Sequence, residues 1–146
     1  MDFPFEYRKF GNFTYHVLSD PRDIKDYLMK WIMREWVFDH NQTPDENWTV
    51  AWMERLPRME FTLEIIRLAG IRPNPDLWRV EEFRTSLKER ADEREEAMLR
   101  GVSIEPLLVD RDSFELLDGY TRYTVLNRYA QKEAFAYLGT TRLISA

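Results

Sequence analysis

The chain has 146 residues, of which 44% are hydrophobic and 14% aromatic, enough for a sizeable core and too apolar for intrinsic disorder. A formal net charge of −5 disfavours sequence-independent contact with DNA or RNA, which draws its affinity from a basic surplus. The absence of cysteine excludes thiol chemistry and disulfides, two histidines (His16, His40) make a catalytic zinc centre a poor fit, and no stretch reaches the roughly 20 apolar residues of a membrane span.

The N-terminus MDFPFEYRKF has neither a basic n-region nor an apolar h-region, so the sequence reads as cytoplasmic, with no membrane partner. Ser19-Asp20-Pro21 is a helix start: a capping side chain, then a proline where its missing N–H costs nothing. Ile24, Tyr27, Leu28, Trp31 and Ile32 then recur at helical spacing. A polar loop follows over 39–47, and Thr43-Pro44 opens a second helix carrying Trp48, Trp52 and Leu56. Arg58–Ala69 reads as a third helix, closed by Gly70. Residues 1–76 are therefore expected to form an all-helical N-terminal extension, ending in the stiff segment IRPNPD (71–76). Its tryptophans suit a core, or a face for a protein partner or a homodimer.

Residues 77–146 read as a small α/β unit, making the whole chain α+β. Leu77–Arg84 alternates loosely, as a strand would. Ser86 and Glu89 form a capping-box pattern opening a charged helix over 87–100, which Gly101 ends and whose Lys88, Arg90 and Arg94 either face solvent or reach a bound phosphate. Ile104–Val109 is a predicted strand, Asp110–Ser113 a turn, Phe114–Leu117 a strand, Tyr120–Ala130 a helix and Ala134–Leu138 a closing strand.

The chemistry concentrates in LLDGYTRY (116–123), where a strand hands over to a helix. A helix N-terminus presents unpaired N–H groups and a partial positive charge, and a preceding glycine lets an anion approach the backbone. Thr121 adds a hydroxyl and Arg122 a forked cation matched to phosphate. Asp118 would cap the helix, hold a metal ion, or accept a proton from a substrate hydroxyl. Tyr120 and Tyr123 would stack on a base or simply pack. Asp-Gly is also a common turn dipeptide, so these residues alone leave a plain turn and an anion site both open.

The pieces Pro106-Leu107-Leu108-Val109, Asp118-Gly119-Tyr120-Thr121-Arg122-Tyr123 and Ala134–Leu138 together resemble the ParB/sulfiredoxin-like superfamily, over about residues 77–140. The resemblance implies a small mixed sheet with helices, and a loop whose Gly119, Tyr120, Thr121 and Arg122 cradle the phosphates of ATP or another nucleotide. Within the superfamily the Asp-Gly-x-x-Arg-aromatic run is most similar to the archaeal free-serine kinases. That similarity implies phosphoryl transfer or nucleotide hydrolysis with Mg2+, Asp118 serving as catalytic residue or metal ligand and Glu89 as the local candidate for a second carboxylate. The departures matter too. Sulfinic acid reduction needs a Cys that is absent, and DNA partition is disfavoured by a loop with one Arg and a chain that stops soon after the last strand. If Arg122 holds phosphate, Arg122→Ala should abolish nucleotide stabilisation and leave the fold nearly intact.

Overall fold

A computed structural model describes residues 3–42 and 54–141, without the side chains of 32–42 and 141. The chain opens with a hairpin, β1 (Glu6–Phe10) and β2 (Phe13–Val17), paired antiparallel around Gly11, whose φ of 63° suits a tight turn. Helix α1 (Pro21–Gln42) starts where the sequence indicates: the Asp20 carboxylate accepts from the Arg22 amide at 2.8 Å and its carbonyl from the Ile24 amide. Strand β3 (Met59–Arg67) follows, then the short α2 (Pro75–Trp78) and the long α3 (Glu81–Leu99). The chain closes with β4 (Leu107–Asp110), β5 (Leu116–Asp118), α4 (Tyr120–Arg128) and β6 (Glu133–Thr141).

The four later strands form one mixed sheet in the order β3-β6-β4-β5. β6 runs antiparallel to β3 and parallel to β4, while β4 and β5 are antiparallel. The α+β class therefore stands. Side chains alternate across the sheet. Leu107, Val109, Ala136 and Leu138 pack on one face with the hairpin residues Phe13, Tyr15 and Val17, with Ala91 and Met98 of α3, and with Val125 and Leu126 of α4. On the other face Leu108 and Tyr137 pack against Ile24 and Leu28 of α1, with Met59 and Phe61. Ile24 and Leu28 anchor α1 to the sheet, contributing about 1.5–3 kcal/mol each as buried aliphatics.

Three expectations need correction. The helix foreseen over Arg58–Ala69 is strand β3, nine residues paired along their full length with β6, so the first 76 residues are not all-helical: they supply three strands and share both cores with the later residues. The strand foreseen over Leu77–Arg84 is instead α2 and the first turn of α3, because Asn74 caps α2 by accepting from the Asp76 amide at 2.9 Å, with Pro75 at the first helical position. Since α3 begins at Glu81, Ser86 and Glu89 lie inside it and form no capping box. The helix foreseen from Thr43, with Trp48 and Trp52, begins in 43–53, outside the described residues. By contrast the Asp110–Ser113 turn forms as expected, the Asp110 carboxylate accepting the amides of Asp112 and Ser113 at 2.8 and 3.0 Å while Arg55 pairs with it at 2.6 Å.

Candidate functional site

Strand β5 delivers the chain to Gly119, which takes up φ 101° and ψ 27° and so turns the backbone abruptly into α4. No side chain caps that helix. The first intrahelical bond closes from the Tyr123 amide to the Gly119 carbonyl at 2.8 Å, leaving the amides of Tyr120, Thr121 and Arg122 ahead of it. A Cβ at position 119 would lie 2.7 Å from Arg122 Nη2 and 2.9 Å from Leu107 Cδ2. Gly119→Ala should therefore cost about 2 kcal/mol or more, from the left-handed backbone and the clash together. An alanine variant whose urea midpoint stays at the wild-type value would show that the turn relaxes.

The residues around this turn divide into two groups. Tyr120 braces the fold: its hydroxyl donates to the Leu116 carbonyl at 2.9 Å and accepts the Asn74 amide at 3.0 Å, and its ring packs edge-on against Phe83 at 5.6 Å. Tyr123 packs against the core and borders a cleft of about 390 Å³ that it shares with Trp78, Leu87 and Lys88. Thr121 faces outward, into a separate cleft of about 320 Å³ between α3 and α4 whose other walls are Arg90, Glu93, Arg94 and Ala97. Arg90 and Arg94 stand one helical turn apart on α3, and among the described residues neither pairs with a carboxylate. Glu93 opposes them in the same cleft, leaving a balance of one positive charge. Glu89 is exposed on α3 and does not line that cleft.

Arg122 points the other way, into the molecule. Its side chain is only 13% exposed; Nη2 donates to the Pro106 carbonyl at 3.3 Å and lies 3.6 Å from Asp118 Oδ2. Nε is buried without a hydrogen-bond partner. The charge of this guanidinium reaches a polar cluster that local sequence does not reveal: Glu105 and Tyr27, with His16 beside Glu105. The Tyr27 hydroxyl donates to Glu105 Oε1, and His16 Nε2 approaches the same oxygen at 3.7 Å. Nothing local announces the cluster, because Tyr27 and Glu105 lie 78 positions apart in the chain.

The two carboxylates beside Arg122 are pushed in opposite directions. Burial pushes Asp118 up, its proximity to Glu105 adds to that, and the Arg122 charge offsets only part. Burial also works to raise Glu105, but the nearby His16 imidazole, the Tyr27 hydrogen bond and the Arg122 charge outweigh it and hold the carboxyl below the usual glutamate range. For Glu105 the folded value lies below the unfolded one. Its contribution is thus complete above the unfolded value of about 4.3 and lost as pH falls through the folded value. Asp118 has the opposite sign, its ionisation being a cost that acid relieves. Urea denaturation from pH 7 to pH 3 should therefore show a fall in stability that Glu105→Gln makes shallower. Parallel curves for the two proteins would remove Glu105 from the account.

No family model and no curated protein matches the chain. Two solved structures of a pNOB8-like ParB N-domain, one of them a C2221 form, are similar to it at 23% and 20% identity, each with a TM-score of 0.44. Each comparison covers 57% of this chain, and the chain spans 31% and 29% of the length of those proteins.

Proposed function

We propose that the protein binds the phosphates of a nucleotide in the cleft between α3 and α4. The observation that carries the reading is the convergence of Thr121, at the uncapped start of α4, with the guanidiniums of Arg90 and Arg94 across the same cleft. Helix amides, a hydroxyl and two forked cations are the donors that phosphate oxygens require. The resemblance of residues 105–139 to nucleotide-binding ParB-like domains favours the same class of ligand. On this reading Gly119 keeps the backbone open, Thr121 and the first-turn amides hold phosphate, and Arg122 fixes the turn from behind. Tyr120 and Tyr123 support the helix start from its other side.

Asp118 fits a magnesium ligand poorly, since burial raises it toward its neutral form and Arg122 already faces it. Glu89 is no better placed, being outside the cleft. Magnesium would therefore arrive on the phosphates themselves, and the reading is one of binding, with no phosphoryl transfer assigned to these carboxylates. Thermal melting with ATP, CTP and pyrophosphate, each with and without magnesium, tests it: a ligand that prefers the native state raises the midpoint. An unchanged midpoint in all of them would leave the cleft without this role.

A further inference from the structure

A second constellation lies where the N-terminal hairpin meets the loop after α3. An isolated parallel bridge joins Tyr15 to Ile104, the Ile104 amide donating to the Thr14 carbonyl and the His16 amide to the Ile104 carbonyl, both at 2.9 Å. Side chains alternate along such a pairing. Tyr15 and Ile104 turn into the core, which leaves Ser103, His16 and Glu105 together on the opposite side. Ser103 Oγ stands 2.8 Å from His16 Nδ1, and Glu105 Oε1 is 3.7 Å from His16 Nε2. His16 and Glu105 keep 22% and 29% of their side-chain surface, so the group is reachable.

We propose that Ser103, His16 and Glu105 form a nucleophilic triad acting on short, apolar acyl esters. The assignment of roles follows from the chemistry of the pairs. An ionised carboxylate can only accept, so Glu105 directs the imidazole proton to Nε2 and leaves Nδ1 as an acceptor for the Ser103 hydroxyl. Tyr27 and Arg122 hold Glu105 in that ionised form. The separation at Nε2 exceeds a hydrogen bond, as is common for catalytic contacts before substrate tightens them. Among the described residues the Ser103 amide has no acceptor, so it is free to donate to the oxygen of a bound carbonyl. Phe5 meets the His16 ring edge-on at 5.2 Å and packs on Phe3 and Tyr27, giving the site an apolar wall that suits a short acyl chain.

The step balances without a cofactor. Ser103 Oγ forms a bond to the ester carbonyl carbon as its proton passes to His16 Nδ1. Collapse of the adduct breaks the ester C–O bond, and the imidazolium returns the proton to the departing alcohol. Water then attacks the acyl-serine with the roles reversed and releases the acid.

The test is independent of the phosphate reading, because it follows a covalent adduct and not a nucleotide-induced shift. The full chain is treated with a fluorophosphonate probe and analysed by intact mass and peptide mapping, alongside hydrolysis of p-nitrophenyl butyrate. One adduct should appear, on Ser103, and be absent from Ser103→Ala; His16→Gln should slow labelling and hydrolysis by about 100-fold or more. A trio that merely ties the hairpin to the loop would lower the melting midpoint of Ser103→Ala without any adduct forming on the native protein. That result, or an adduct that persists in Ser103→Ala, overturns the proposal.

Discussion

Arg122→Ala should cost about 3 kcal/mol of stability, the lower end of what removing one partner from a buried charge pair costs. The guanidinium is 13% exposed and stands beside Asp118, with the Pro106 carbonyl as its hydrogen-bond acceptor. Its charge also reaches Glu105, Tyr15, Tyr27 and Tyr137, opposing in each the rise that burial imposes, which for Tyr15 and Tyr137 ends at about 12. Alanine would remove the cation whose charge reaches both Asp118 and Glu105 and leave the two carboxylates to repel one another. The lower figure applies because Asp118 and Glu105 each keep 29% of their side-chain surface, where water screens what remains. Arg122→Lys should fall between the two, since an ammonium keeps the charge and loses the fork. This reverses the expectation from sequence, which kept the fold of Arg122→Ala nearly intact. Urea denaturation decides it: a loss under about 1 kcal/mol would return Arg122 to the list of phosphate ligands.

The second large effect concerns the opposite side of the same helix start. Arg90→Ala combined with Arg94→Ala should remove most of the stabilisation that a nucleoside triphosphate gives the wild-type protein. A ligand at 100 times its dissociation constant adds about 2.7 kcal/mol, and hydrogen bonds to charged groups contribute about 1.5–3 kcal/mol each, so two lost guanidiniums are enough to cancel it. Without ligand the double variant should melt within about 0.5 kcal/mol of wild type, because both side chains are on exposed positions of α3. Thr121→Ala should weaken the ligand effect less, losing a neutral donor and keeping the amides. A triphosphate shift that survives in the double variant would move the site elsewhere, and the cleft of Tyr123 and Lys88 would be the next place to test.

Much of the second half of the chain could be read directly. The strands at β4, β5 and β6, the Asp110 turn and the helix opening after Gly119 are local events: alternation, a turn side chain and a glycine specify them over a few residues. The start of α1 is equally local. The hairpin of β1 and β2 turns on Gly11-Asn12, a short-range signal that the helical reading of the first half passed over. Strand β3 carried one too, Met59, Phe61 and Leu63 alternating with Glu60, Thr62 and Glu64, but a glycine after an apolar run suits a helix end as well. Only pairing with β6 chooses between them, since a strand's backbone groups need a partner that the local sequence does not supply.

The direction of Arg122 lies wholly beyond the sequence. By itself the sequence determined that an arginine follows Asp-Gly at a helix start, and that this place can attract negative charge. Whether the guanidinium turns outward to a ligand or inward to a carboxylate depends on what stands behind the helix. What stands there is Glu105 and Pro106 from the loop before β4, with Tyr27 from α1. Tertiary structure decided it by burying acids that need a counterion, and it left Arg90 and Arg94, which the sequence leaves open between a solvent-facing helix and a phosphate contact, facing the open cleft beside Thr121.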